Sequence, residues 1–119
     1  MSKMSLFTQK AGENEYTAVI EGIEFICETV KPEFEETALA LAKAYQEKLP
    51  RIVAHLLDEV TATFGAISAD ELEDALGTPQ IDLDRGTLSY LDHTLDDAHI
   101  IEIEYSGLFD ELYDVTIDG

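Results

Sequence analysis

Residues 90–105, YLDHTLDDAHIIEIEY, concentrate the side chains most able to do chemistry. His93 and His99 lie six positions apart, Asp92, Asp96 and Asp97 sit beside or between them, and Glu102 and Glu104 follow. Imidazoles and carboxylates together could ligate a metal ion or exchange protons. A metal site needs ligands that converge from a rigid frame, as two histidines four apart do on one face of a helix. A spacing of six fits neither a helical turn nor the alternation of a strand. The mid-loop glycine and regularly spaced oxygen ligands of a calcium loop are also missing. Asp96 and Asp97 suit turn and capping positions instead. DHTLDDAH is therefore expected to be an acidic loop that feeds a half-buried strand, and no metal or other cofactor is expected. A small metal-binding or metal-sensing protein that uses His93 and His99 with Asp96 or Asp97 is the second reading.

Other reactive side chains have plainer explanations. Cys27 lies in an apolar segment, where a buried thiol is inert. His55 stands between Ala54 and Leu56 in a helical pattern and reads as a packed or surface histidine, not a base. Ser68 opens SADE, where a serine followed three residues later by a glutamate is a helix cap. No glycine-rich phosphate loop is present, and carboxylates are too numerous for any two to stand out as an acid–base pair. The chain is expected not to be an enzyme.

The charge is the more informative feature. The 119 residues carry 26 acidic and 7 basic side chains, a formal net charge of -19. Residues 1–65 hold 11 acidic and 6 basic residues, whereas residues 66–119 hold 15 acidic residues and one base, Arg85. Such a surplus repels nucleic acid and anionic membranes and attracts basic proteins at low salt. With 45% hydrophobic residues the chain can bury a core, and its length suits a single domain spanning 1–119. No apolar run approaches the roughly 20 residues of a membrane span, and the first ten residues lack the apolar stretch of a secretion signal. A cytoplasmic protein is expected.

Periodicity then assigns the elements that hold these groups. SLFTQ reads as a short strand. EYTAVIEGIEFICETV reads as two more, joined at Gly22, with Ile23, Phe25 and Cys27 on one face. From Pro32 the period lengthens to about 3.6, with apolar residues at Phe34, Ala38, Leu41, Ala42, Tyr45 and Leu49. Pro50 is a stop or a kink. A second stripe runs through Ile52, Val53, Leu56, Leu57, Val60 and Phe64 to Gly65. These are either an antiparallel pair or one bent helix, and two long helices are the expectation. Residues 68–77 add a short third helix. Alternation by twos then returns: Ile81 and Leu83 against Asp82 and Asp84, TLSYL after Gly86, Ile101, Ile103 and Tyr105 against Glu102 and Glu104, and Tyr113, Val115 and Ile117 against Asp114, Thr116 and Asp118. SGLFDE reads as a hairpin or bulged turn. The class is α+β, a mainly antiparallel sheet with two long helices and one short helix packed on one face.

In that register the apolar set faces the helices, so Asp82, Asp84, Glu102, Glu104, Asp114 and Asp118 line the other face. Solubility or salt adaptation would account for an acidic surface in general. Salt adaptation would acidify both halves alike, and here the surplus lies in one.

The segment LGTPQIDLDRGTLSYLDHTLDDAHIIEIEYSGLFDELYDVTIDG, residues 76–119, resembles small acidic bacterial domains of unknown function, including immunity proteins of toxin–immunity systems. The likeness rests on LGTP, DHTLDDAHII and VTIDG, which carry no active-site residue across. It implies a non-enzymatic protein that neutralises a basic toxin domain, such as a nuclease, by occlusion and charge complementarity. The expected docking residues are Asp82, Asp84, Asp96, Asp97, Glu102, Glu104, Phe109 and Asp114. Tyr90, Tyr105, Leu108, Phe109 and Tyr113 are the candidate apolar anchors, with Tyr105 and Tyr113 better suited to the core. An acidic accessory domain with a housekeeping role is the third reading.

Overall fold

The computed structural model describes residues 7–9, 15–28, 31–96 and 98–118. The strands β1 (Thr8–Gln9), β2 (Tyr16–Ile20) and β3 (Ile23–Cys27) come first. The helices α1 (Pro32–Phe64) and α2 (Ala69–Leu76) follow, and then β4 (Pro79–Asp82), β5 (Thr87–Tyr90), β6 (Ile100–Ser106) and β7 (Glu111–Asp118). The strands form one seven-stranded sheet in sequence order. Every neighbouring pair is antiparallel except β3–β4, which is parallel. A parallel pair needs a long crossover, and the two helices supply it. The α+β class and the mainly antiparallel sheet match the periodicity. Of SLFTQ, Ser5 and Leu6 lie outside the described residues.

The expected pair of long helices is instead one helix of 33 residues that runs through Pro50. Its stripe stays in phase across the proline: Phe34, Ala38, Leu41, Ala42 and Tyr45 before it, Ile52, Val53, Leu56 and Val60 after it, all buried. An interior proline costs about 3 kcal/mol. Each large aliphatic side chain buried beyond it returns roughly 1.5–3 kcal/mol, and breaking the helix would forfeit several. Pro50 and Gln46, whose carbonyl loses its i+4 partner, are both exposed, so water can satisfy that group. Pro50→Ala is therefore expected to raise stability by about 2–2.5 kcal/mol, the proline penalty less the unfolded-chain entropy that proline removes. Urea unfolding would measure it, and a loss of stability would mean that the packing needs a bend at Pro50.

Local sequence explains the ends. Pro32 occupies the first turn of α1 with Glu33 and Glu35 near the positive end of the dipole. Ser68 and Glu71 form a reciprocal capping box on α2, with Glu71 N–H donating to Ser68 Oγ at 3.1 Å and Ser68 N–H donating to Glu71 Oε1 at 3.0 Å. Glu21 and Gly22 both have positive φ, the geometry of a two-residue hairpin turn whose twist matches the strands.

One face of the sheet packs on the helices. The register lines up Ala18, Phe25, Ile81, Leu88, Ile103 and Val115 across β2 to β7. All but the half-buried Val115 belong to the core, as do Ile23, Cys27, Tyr90 and Ile101. Tyr45 of α1 meets Tyr90 of β5 inside it, hydroxyl to hydroxyl at 2.6 Å. Burial pushes the Tyr45 phenol up to about 12 and raises Tyr90 well above the ordinary tyrosine range, so both stay neutral. Cys27 is buried, and its thiol is pushed up to about 11 by desolvation and then by Asp84, Asp82 and Glu15.

Candidate functional site

The helix-free face of the sheet carries the carboxylates. Ile101 and Ile103 are fully buried while Glu102 is partly exposed and Glu104 exposed, as the alternation requires. Across the strands one outer row reads Val19, Glu24, Gln80, Ser89, Glu102, Thr116, and the next reads Thr17, Ile26, Asp82, Thr87, Glu104. At the regularly paired positions of these rows no carboxylate stands directly opposite another, and the one close approach is that of Asp114 to Glu104 at the irregularity between β6 and β7. Like charges placed directly opposite would each cost up to about 1 kcal/mol. The neutral residues between them also donate: Gln80 Nε2 to Glu24 Oε1 at 2.8 Å, and Ser89 Oγ to Glu102 Oε2 at 3.3 Å. The face therefore holds its charge with less repulsion than the sequence alone suggests.

The second row ends in a bulge. Ile103 pairs with Val115 but Tyr105 pairs with Leu112, so Tyr113 and Asp114 together oppose Glu104. Such an extra residue bends the strand and leaves backbone groups unpaired. His55 of α1 meets one of them, its Nε2–H donating to the Tyr113 carbonyl at 2.7 Å. This corrects the expected inward set: Leu112 takes the core side, and Tyr113, 48% exposed, points outward with its hydroxyl 3.2 Å from Ser106 Oγ. Asp114 joins Arg85, Thr87, Glu102, Glu104 and Thr116 around a polar depression of about 240 Å³ on the outer face.

Of the expected docking residues, Glu102, Glu104 and Asp114 thus converge. Asp82 and Asp84 do other work nearby. Strand β4 ends at Asp82 and the chain turns, so Leu83 and Asp84 lie in the turn and not in a strand. Asp82 Oδ1 accepts from the N–H groups of Asp84 and Arg85 at 3.0 and 3.1 Å. Asp84 Oδ2 accepts from Glu28 N–H at 2.5 Å and ties the end of β3 to this turn.

Phe109 is a correction. It is fully buried at φ +62, against Tyr45 (6.0 Å between centroids) and Tyr105 (4.8 Å). It cannot serve as a docking anchor, and neither can the fully buried Tyr90. Tyr105 is half-buried against the core, and Leu108 is exposed in the turn. Lys48 Nζ donates to Asp110 Oδ1 and to the Leu108 carbonyl, each at 3.3 Å, and fixes that turn to α1.

The histidine stretch is a clasp between loop and helices. Leu95 N–H donates to His93 Nδ1 at 3.2 Å, so the ring proton sits on Nε2, which donates to the His99 carbonyl at 2.6 Å. Both ring nitrogens of the buried His93 are committed, which leaves no lone pair for a metal. His99 Nδ1–H donates to Asp96 Oδ2 at 2.5 Å. The Phe64 ring at the end of α1 meets both imidazoles edge-on, at 6.0 and 5.5 Å. Thr94 N–H donates to the Ala75 carbonyl of α2 at 2.8 Å. At Gly77 (φ +73) a Cβ would come within 2.9 Å of the Asp92 carbonyl oxygen, so only glycine lets the loop lie this close. Among the described residues no three His, Cys, Asp or Glu side chains gather in a way that could hold a metal ion. Asp97 lies outside the described residues.

Asp96 gives this clasp a pH dependence. The His99 backbone N–H, with its ring and the Ala98 N–H, holds the Asp96 carboxyl at about 2. An unfolded aspartate titrates near about 3.9. Because the folded value is the lower one, the stabilisation is fully present above about pH 4 and is lost as pH falls from there towards 2. Asp96→Asn is expected to be less stable than wild type at pH 6 and to converge with it near pH 2 in urea unfolding. A constant gap over that range would remove Asp96 as its source.

No protein-family model, characterised protein or solved structure matches the chain.

Proposed function

We propose that the chain is a non-enzymatic binding protein whose helix-free sheet face docks a cationic protein. One observation carries this: Glu102, Glu104 and Asp114 converge on a solvent-facing depression whose one basic lining residue among the described residues is Arg85. A surface selected only to be acidic has no need to gather three carboxylates about one depression. Field lines focused on such a face raise the encounter rate of a basic partner. A basic toxin domain is the partner class suggested by the C-terminal likeness, and in that role docking would act by covering the toxin's own cationic site. The exposed Tyr113, and Ile100 at the edge of the acidic rows, supply apolar contact of the kind that slows dissociation.

The reading is tested by affinity capture with wild type and with a Glu102→Lys/Glu104→Lys variant, each cross-linked to what it retains. Wild type is expected to retain a basic protein with cross-links on β6 and β7, and the variant to lose it. Retention of that protein by both, with cross-links on the helices, would move the interface off the sheet.

A further inference from the structure

We infer that the depression on the outer face is a receptor for one arginine side chain of the partner, with Thr87, Glu102, Glu104 and Asp114 as its ligands. The inference rests on the docking reading and names the chemistry at its centre. The floor of the depression is the first observation. Thr87 and Ser89 lie on the helix-free face, yet they are only 4% and 8% exposed. Glu102 and Glu104 of β6 and Asp114 and Thr116 of β7 line the depression beside Thr87. Ser89 is satisfied by Glu102. The Thr87 hydroxyl has no hydrogen-bond partner among the described residues. No fully buried side-chain oxygen there lacks a partner, so the Thr87 oxygen must reach solvent, and the depression is the opening that it lines. A nearly buried hydroxyl thus faces the depression, where a ligand's donor could replace water.

The walls give the ligand its charge. Glu102 and Glu104 come from β6 and Asp114 from the bulge of β7. Arg85 also lines the depression, is exposed, and forms no ion pair with the three among the described residues. The site therefore offers three carboxylates and one hydroxyl that Arg85 does not pair. A guanidinium presents five N–H donors in a planar fork, pairs with carboxylates two bonds at a time, and is more weakly hydrated than an ammonium. Its planar fork can pair a carboxylate through two parallel bonds, which the single nitrogen of an ammonium cannot. Arg85 would oppose the incoming charge and set an upper limit on affinity.

The probe is N-acetyl-arginine amide, titrated into ¹⁵N-labelled protein at constant ionic strength, with the neutral citrulline amide and the lysine amide as comparisons. We expect saturable amide shifts centred on Thr87, Glu102, Glu104, Asp114 and Thr116 for arginine, a weaker response to lysine and none to citrulline. Thr87→Val keeps the β-branched shape and removes the hydroxyl, and should weaken binding by about 2- to 10-fold, as loss of one hydrogen bond does. Asp114→Asn should weaken it by a similar factor, and Arg85→Ala should strengthen it. Shifts spread over all acidic segments without saturation, equal binding of lysine amide, or unchanged affinity of Thr87→Val would overturn the receptor. Each would leave the docking reading intact if partner capture still depends on Glu102 and Glu104.

Discussion

Replacing Phe109 by alanine is expected to lower stability by about 3–5 kcal/mol, the usual cost of removing a buried aromatic ring. The ring is fully buried between Tyr45 and Tyr105, so it joins α1 to the β6–β7 turn. Its loss leaves a cavity where the long helix meets the far side of the sheet. The residue also keeps a left-handed backbone, φ +62, which an alanine would have to retain without the ring's packing to offset it. Against a typical net stability of about 5–15 kcal/mol, such a loss brings the fold near its limit at 37 °C. Urea unfolding with circular dichroism measures it. A variant of near wild-type stability that failed to bind the partner would return Phe109 to the docking surface, where the sequence had placed it.

That misplacement shows where sequence reasoning runs out. Leu108 and Phe109 are adjacent apolar residues in a turn, and period says nothing about which enters the core; a positive φ at Phe109 turns it inward and leaves Leu108 outside. Alternation placed Ile81, Ile101 and Ile103 inside and Glu102 and Glu104 outside because a one-residue slip would bury charge. The same alternation ran smoothly from Ile117 back through Val115 to Tyr113, and it hid the extra residue. The signal was the pair Leu112–Tyr113, two apolar residues in succession, which only a bulge can place on opposite faces with Asp114 still outside. Pro50 misled for a different reason. Its local penalty is real, but the apolar stripe keeps one phase across it, and that long-range fact outweighs the local one. The histidine loop was legible as a loop. Its part as a clasp on Phe64 and Ala75 was not, because those contacts join residues far apart in the chain.

Reversing two charges at the centre of the outer face should have the largest effect on binding and little on folding. In Glu102→Lys/Glu104→Lys the backbone register and the buried Ile101 and Ile103 are untouched. The variant gives up the Ser89–Glu102 hydrogen bond, about 0.5–1.5 kcal/mol, and gains relief from the carboxylates around it, so stability should change by less than about 1 kcal/mol. The encounter rate should change far more. Steered association reaches about 10⁸–10⁹ M⁻¹s⁻¹ at low salt, against about 10⁵–10⁶ without steering. Screening shortens the Debye length from about 10 Å at 0.1 M salt to about 3 Å at 1 M, so the difference between the two proteins should shrink as salt rises.

The most direct measurement is therefore the association rate of the captured partner with wild type and with Glu102→Lys/Glu104→Lys, followed by stopped-flow mixing from low to high salt. Docking on the outer face predicts at least about a tenfold slower association for the variant at low salt, narrowing towards equality at 1 M, with both proteins folded throughout. Equal association rates at low salt would contradict it and exclude the acidic sheet face from the interface.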